Sequence, residues 1–131
     1  MIAVTGANGL VGSFVVQRLV QEGLPVVAIV RAQSRRELLD AVKDKITFRE
    51  ADVLDMPDLS EALTGCDMAV HCAAMVSFNR SKSKKIIEVN VEGTKNVVNA
   101  CLQGSVKKLV HVSSVAALGR VKGMDVIDEN S

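Results

Sequence analysis

Val4-Thr5-Gly6-Ala7-Asn8-Gly9-Leu10-Val11-Gly12 decides the fold of this chain, because it carries a short apolar strand through a glycine turn into an amphipathic helix. Three glycines at three-residue spacing let the chain turn sharply off the strand, bring backbone N–H groups against a pyrophosphate and pack the helix close to the sheet. The helix that begins near Gly9 points its N-terminus, with unpaired N–H groups and a positive dipole end, at such an anion. A glycine triplet by itself also marks ordinary turns. Here Met1-Ile2-Ala3-Val4 precedes it as a strand, and Leu10, Val11, Phe14, Val15, Val16 and Leu19 follow at helical spacing, so strand, turn and helix come in the order a dinucleotide-binding turn requires.

Downstream, the same alternation repeats. Gly23-Leu24-Pro25 stops the first helix, and Val26-Val27-Ala28-Ile29-Val30 is a continuous apolar run, as a buried parallel strand should be. The pattern predicts a helix over 36–42, a strand over 46–49, a helix around 58–63, a strand over 68–72 and, after a lysine-rich loop from Ser77 to Lys84, a long helix ended by Gly104. On that helix Ile87, Val91, Thr94, Val98 and Cys101 form one stripe, with Val97 and Leu102 beside it. A fifth strand spans 109–113. Five strands joined through helices imply right-handed crossovers and a doubly wound, Rossmann-type parallel sheet ordered 3-2-1-4-5, with residues 1–131 as one domain and the ligand crevice between strands 1 and 4.

Composition narrows the partners. Hydrophobic residues make up 48% of the chain, enough for a core, and sixteen basic residues nearly cancel fifteen acidic ones. Bulk charge therefore offers nothing to nucleic acid or a membrane surface, and the expected ligand is a small molecule. No apolar run reaches the ~20 residues of a bilayer span, and Met1 leads straight into a strand, so a cytoplasmic protein is expected. Cys66, Cys72 and Cys101 lack metal-like spacing and sit in apolar surroundings, where a small buried thiol is the reading; no metal site is expected. His71 and His111 lie inside apolar strand runs and read as core histidines with satisfied ring nitrogens.

The Gly-x-x-Gly-x-x-Gly spacing after Thr5 resembles the short-chain dehydrogenase/reductase superfamily, in particular its extended branch of epimerases, dehydratases and reductases such as the dihydroflavonol reductases. The resemblance implies cofactor contacts at Gly6, Gly9, Leu10, Val11 and Gly12. Where an NAD-selective version of the fold places an acidic residue for the ribose hydroxyls, this chain has Val30-Arg31. A guanidinium there accepts a 2'-phosphate and stacks on adenine, so NADP is favoured over NAD. Ser34, Arg35 and Arg36 add donors nearby, or the two arginines merely solvate a helix start. Asp52-Val53 takes the place the family uses beside the adenine ring, against the plainer reading of a loop carboxylate. Ala73 and Ala74 match the small residues that the family sets against the nicotinamide side, and Asn90 matches its helix-borne Asn, which either bridges backbone groups or faces the cofactor. Gly93 is read as allowing close helix packing.

Val112-Ser113-Ser114-Val115-Ala116-Ala117-Leu118-Gly119 resembles the family's serine-bearing strand end and puts the catalytic serine at Ser114, a hydrogen-bonding hydroxyl and not a nucleophile. No Gly-x-Ser-x-Gly elbow surrounds it, which argues against a hydrolase. The chain departs from the family in one respect that governs catalysis: it contains no tyrosine, whereas the family's acid/base is a Tyr-x-x-x-Lys pair. Lys122 and Asp125 are not read as substitutes. The resemblance spans the whole chain but half or less of a typical member, so the sheet should be incomplete on its C-terminal side. The expectation is therefore an NAD(P)-binding part of an oxidoreductase, epimerase or dehydratase that binds cofactor without efficient turnover and self-associates through strand 5 and the helix face around Val97 and Leu102. A non-catalytic NADP-binding sensor is the alternative.

Overall fold

The structure, a computed structural model, describes residues 1–119 and Asp128; the expectations for Lys122, Asp125 and the acidic ending lie outside the described residues. Five strands, β1 (Ile2–Thr5), β2 (Val26–Val30), β3 (Ile46–Glu50), β4 (Met68–His71) and β5 (Lys108–His111), form one sheet in the order β3-β2-β1-β4-β5. Every pairing is parallel, with Ile2 level with Val26 on one side and Met68 on the other. This is the expected doubly wound order.

Strand alternation builds a core on each face of the sheet. Ala3, Val27, Ile29 and Ala69 point to the face covered by helices α2 (Met56–Ala62) and α4 (Gly93–Gln103), where Leu59, Val97 and Cys101 complete the packing. Val4, Val26, Ala28 and Val30 point to the opposite face, under helix α1 (Leu10–Gln21) and Leu39. Asp55 starts α2 by accepting the Asp58 N–H at 3.1 Å, with Pro57 in the first turn where its missing donor is harmless.

Three expectations need correction. The segment predicted as a helix over 36–42 holds one short 3₁₀ turn, Glu37–Leu39, and a second, Lys43–Lys45, follows it. Leu39 is the one fully buried residue there, and a single anchor gives a regular helix no face to pack. The long helix is interrupted: a short helix α3 (Ser83–Ile87) passes through a π-helical turn, Glu88–Glu92, before α4. The wider turn changes the phase, and α4 buries Gly93, Val97, Ala100 and Cys101 while Ile87, Val91, Val98 and Leu102 face outward. The contact falls on small residues because α4 comes close; a Cβ at Gly93 would lie 2.7 Å from Cγ2 of Val53. Val97 is thus core, not part of an outer apolar face. His111, finally, is exposed on β5 rather than buried, because β5 pairs with β4 alone among the described strands.

Candidate nucleotide-binding site

β1 ends in the glycine turn, and two close approaches fix its shape. Gly6 has φ +63°, and a Cβ there would lie 2.7 Å from the Ala73 backbone that follows β4. Gly12 is buried at the start of α1, where a Cβ would run into the Gly6 carbonyl. Neither position admits a side chain without moving backbone. The result is a turn pressed against the loop after β4, with the first turn of α1 above it. Gly9 N–H donates to the Gly6 carbonyl at 3.0 Å, and the Gly9 carbonyl accepts from Ser13. The N–H groups of Leu10 and Val11, at the first two helical positions, have no intrahelical acceptor, which makes them anion donors.

Beneath this turn lies a cavity of about 400 Å³ across the ends of β2, β1 and β4. Gly6 and Gly9 form its upper wall, Arg31, Asp52 and Val53 one end, and Ala73, Ala74 and Met75 the other. Seven of the residues singled out in the sequence therefore meet in one hollow. A second hollow opens beside it, shared by Arg31, Ser34 and Asp52 and completed by Glu50 and Asp58. One guanidinium and three carboxylates thus line that end, although Glu50 is paired with Arg36 at 2.5 Å. Asp52 is already half engaged, its Oδ1 accepting the Leu54 N–H at 2.9 Å.

Other candidates stand outside the cavity walls. Leu10 and Val11 turn their side chains away from it into an apolar depression with Phe14, leaving only their backbone to face the turn. Arg35 contributes its carbonyl, which accepts from Asn8 Nδ2 at 2.7 Å; its side chain lines neither hollow. Arg36 stacks 5.0 Å over the ring of Phe48 and is held there by Glu50, so it braces β3 and is not directed at a ligand. Ser34 bonds back to the Arg31 carbonyl at 2.6 Å. Asn90 bonds the Met75 main chain through both ends of its amide and does not line the cavity. Ser114 lies beyond β5, its Oγ accepting the Ala116 N–H at 3.2 Å, and does not line the cavity.

Among the lining residues not singled out from the sequence are Asn8, Met75 and Lys85. Asn8 lies within the glycine stretch itself, its amide tying the turn to the segment after β2. Met75 and Lys85 line the far end. Lys85 directly follows the lysine-rich loop read over 77–84, and Glu88 pairs with it at 3.1 Å. Cys72 is a lining residue too, and burial raises its thiol pKa, as it does for Cys66 and Cys101, so all three are poor nucleophiles. His71 is a buried histidine with both ring nitrogens satisfied, by Thr5 and by Thr94, as read from the sequence. No helix among the described residues is long and apolar enough to cross a membrane.

Comparison with known proteins agrees with this geometry. Residues 3–131 match the model of the 3-beta hydroxysteroid dehydrogenase/isomerase family. The chain is 34% identical to cinnamoyl-CoA reductase 1 of Petunia hybrida, over 98% of this chain and 40% of that protein. It is 32% identical to dihydroflavonol 4-reductase of Hordeum vulgare, over 89% of this chain and 35% of that one. Among solved structures, a UDP-glucose 4-epimerase superposes with a TM-score of 0.83 at 28% identity, covering 98% of this chain and 40% of the epimerase. The dTDP-glucose 4,6-dehydratase DesIV of Streptomyces venezuelae, solved with NAD bound, superposes with a TM-score of 0.80 at 26% identity, covering 95% of this chain and 42% of its own. The chain therefore spans well under half the length of these relatives.

Proposed function

Because the chain belongs to the 3-beta hydroxysteroid dehydrogenase/isomerase family, within the extended short-chain dehydrogenases/reductases, we propose that its cavity binds a nicotinamide dinucleotide and that it forms the cofactor-binding part of a cytoplasmic oxidoreductase. The observation that carries this reading is one cavity lined jointly by Gly6 and Gly9 of the turn, by Arg31 with Asp52 and Val53, and by Ala73, Ala74 and Met75. The turn and the Leu10 and Val11 amides suit a pyrophosphate. Arg31 and Asp52-Val53 suit the adenosine end, where Val53 offers an apolar surface and the second Asp52 oxygen can accept from an amino group. Ala73 and Ala74 leave room for the other end. The glycine contacts support the fit, since a Cβ at Gly6 or Gly12 would fill or distort the cradle.

When bound, the nicotinamide supplies or removes hydride at a carbon bearing a hydroxyl or carbonyl. From this chain, the resemblance gives Ser114 the task of hydrogen-bonding the small-molecule substrate's oxygen. The proton on that oxygen falls to a tyrosine, and none of the 131 residues is one. The chain alone should therefore hold cofactor without efficient turnover. The alternative is a non-catalytic NADP-binding module that senses redox state through a partner protein; a Tyr-x-x-x-Lys helix in the downstream sequence supports the enzyme, and its absence there supports the sensor.

NADP is the favoured cofactor on the strength of Arg31, which borders both hollows. NAD is the second reading, favoured by Glu50, Asp52 and Asp58 lining the space where a 2'-phosphate would sit. Calorimetric titration with NADPH and NADH tests both levels. Binding of either supports the site, and tighter NADPH binding supports the Arg31 assignment. Tighter NADH binding overturns the assignment to NADP; binding of neither overturns the site.

A further inference from the structure

A network of six hydrogen bonds runs along the cavity, and its direction is fixed by counting hydrogens. Thr94 has a single hydroxyl hydrogen, and it goes to the Asn90 carbonyl at 2.7 Å, an acceptor that can donate nothing in return. Thr94 Oγ1 must therefore accept from His71 Nε2, 3.1 Å away, so Nε2 carries a proton. At the other end Thr5 Oγ1 accepts the Ala73 N–H at 3.4 Å and lies 2.6 Å from His71 Nδ1. With Nε2 protonated, the neutral ring has Nδ1 as an acceptor, and the Thr5 hydroxyl donates to it. Asn90 then closes on Met75 through its side chain.

We propose that His71, held as its Nε2–H tautomer by Thr5 and Thr94, is a positioning residue that locks the glycine turn, the Ala73–Met75 wall and the helix bearing Asn90 in one register. Thr5 immediately precedes Gly6 and lines the hollow, as do Ala73 and Met75, so the relay joins the glycine turn to the segment after β4 while His71 and Thr94 stay outside the lining. Thr5 and His71 are 0% and 1% exposed, which denies water the chance to replace a lost partner. Burial and the neighbouring His111, stacked on His71 at 5.3 Å, both oppose a charged ring and so favour the neutral form that the relay requires.

The effect on ligand affinity rests on the nicotinamide-dinucleotide reading; the tautomer does not. The test uses the full 131-residue chain, ¹⁵N-labelled, with long-range ¹H–¹⁵N correlation of the histidine rings at pH 7 and NADPH and NADH titrations of wild type, Thr94→Val and Thr94→Ser. Thr94→Val removes the acceptor for Nε2–H from the partly exposed end of the relay, whereas Thr94→Ser keeps it. The expected outcome is a neutral Nε2–H ring in wild type and Thr94→Ser, loss of that pure tautomer in folded Thr94→Val, and affinity for the bound cofactor weaker by about tenfold in the valine variant alone. An Nδ1–H or charged wild-type ring overturns the relay, and unchanged affinity in folded Thr94→Val overturns the positioning role. If wild type binds neither cofactor, the cofactor reading fails by itself, and a pure Nε2–H signal lost in Thr94→Val still upholds the relay.

Discussion

Asn90 grips the main chain of Met75 with both ends of its amide: Oδ1 accepts the Met75 N–H at 2.7 Å and Nδ2 donates to the Met75 carbonyl at 2.9 Å. A helix side chain thereby stands in for a neighbouring strand just where the chain leaves β4. Asn90→Ala leaves both backbone groups without that partner and should lower stability by about 1–3 kcal/mol in urea unfolding. Amide exchange at Met75 should quicken well beyond the global change. If Met75 exchange follows only the global stability, the clamp is not what orders this wall.

Arg31→Ala should weaken NADPH binding by roughly ten- to a hundredfold, the scale of a lost charge-assisted pair, while leaving NADH within a few-fold of wild type. Calorimetry on both cofactors reads the split. An unchanged preference would move the cofactor choice to another residue, with Ser34 the next to be changed.

Gly9→Val should abolish detectable cofactor binding in a folded protein. Gly9 is exposed, with φ −78° that any residue adopts, and a Cβ there would lie 3.3 Å from the Gly6 carbonyl oxygen, which a Cβ at Gly12 would overlap, so the substitution burdens the ligand more than the fold. Gly12→Ala is the contrast, because its Cβ meets the Gly6 carbonyl and should cost stability directly. Circular dichroism melts beside the titrations separate the two. Full affinity in Gly9→Val would refute the pyrophosphate assignment.

Burial, with the neighbouring His111 as the smaller cause, lowers the His71 pKa from 6.5 to about 4. The unfolded chain takes up this proton near pH 6.5 and the folded chain only near 4. Stability should therefore fall as pH drops through that window and level off below it, losing on the order of 2 kcal/mol between pH 7 and 4.5. Urea unfolding of wild type and His71→Gln across the window measures it. The glutamine variant should lose this share of the slope, and equal slopes in the two proteins would contradict the assignment to His71.

The 131-residue chain should oxidise NADPH on aldehydes, ketones or nucleotide sugars at rates on the order of 10²- to 10⁴-fold below those of a family member carrying its acid/base, even when saturated with cofactor. Light scattering on the same samples should show self-association, since Leu102 is 77% exposed and β5 is an edge strand among the described residues. Robust turnover would sink the catalytic statement, and a clean monomer the association.

How much of this was legible depended on whether side-chain type or backbone phase carried the signal. The strand order followed from the glycine turn and four later apolar runs, and the cavity walls at Gly6, Arg31, Asp52 and Ala73 followed from strand ends. His71 read correctly from its apolar neighbours. The face of α4 was legible in part, at Gly93, read as a close-packing glycine, and at Cys101 in the stripe, whereas Val98 of that stripe faces outward and the buried Ala100 was too small to mark the face. A π turn leaves no mark in the periodicity of so short a run. Lys85 could not be told from its lysine-rich neighbours until the chain folded back on the hollow.

The strand order also has a consequence in time. β1, the middle of the sheet, is made before β2, β3 and β4, yet its pairing with β4 joins Thr5 to His71, 66 positions further along. A nascent chain can assemble β1, β2 and β3 while the rest is still being synthesised, and the glycine turn then has no opposite wall. Until β4 emerges and docks, the edge of β1 lies open to a wrong partner.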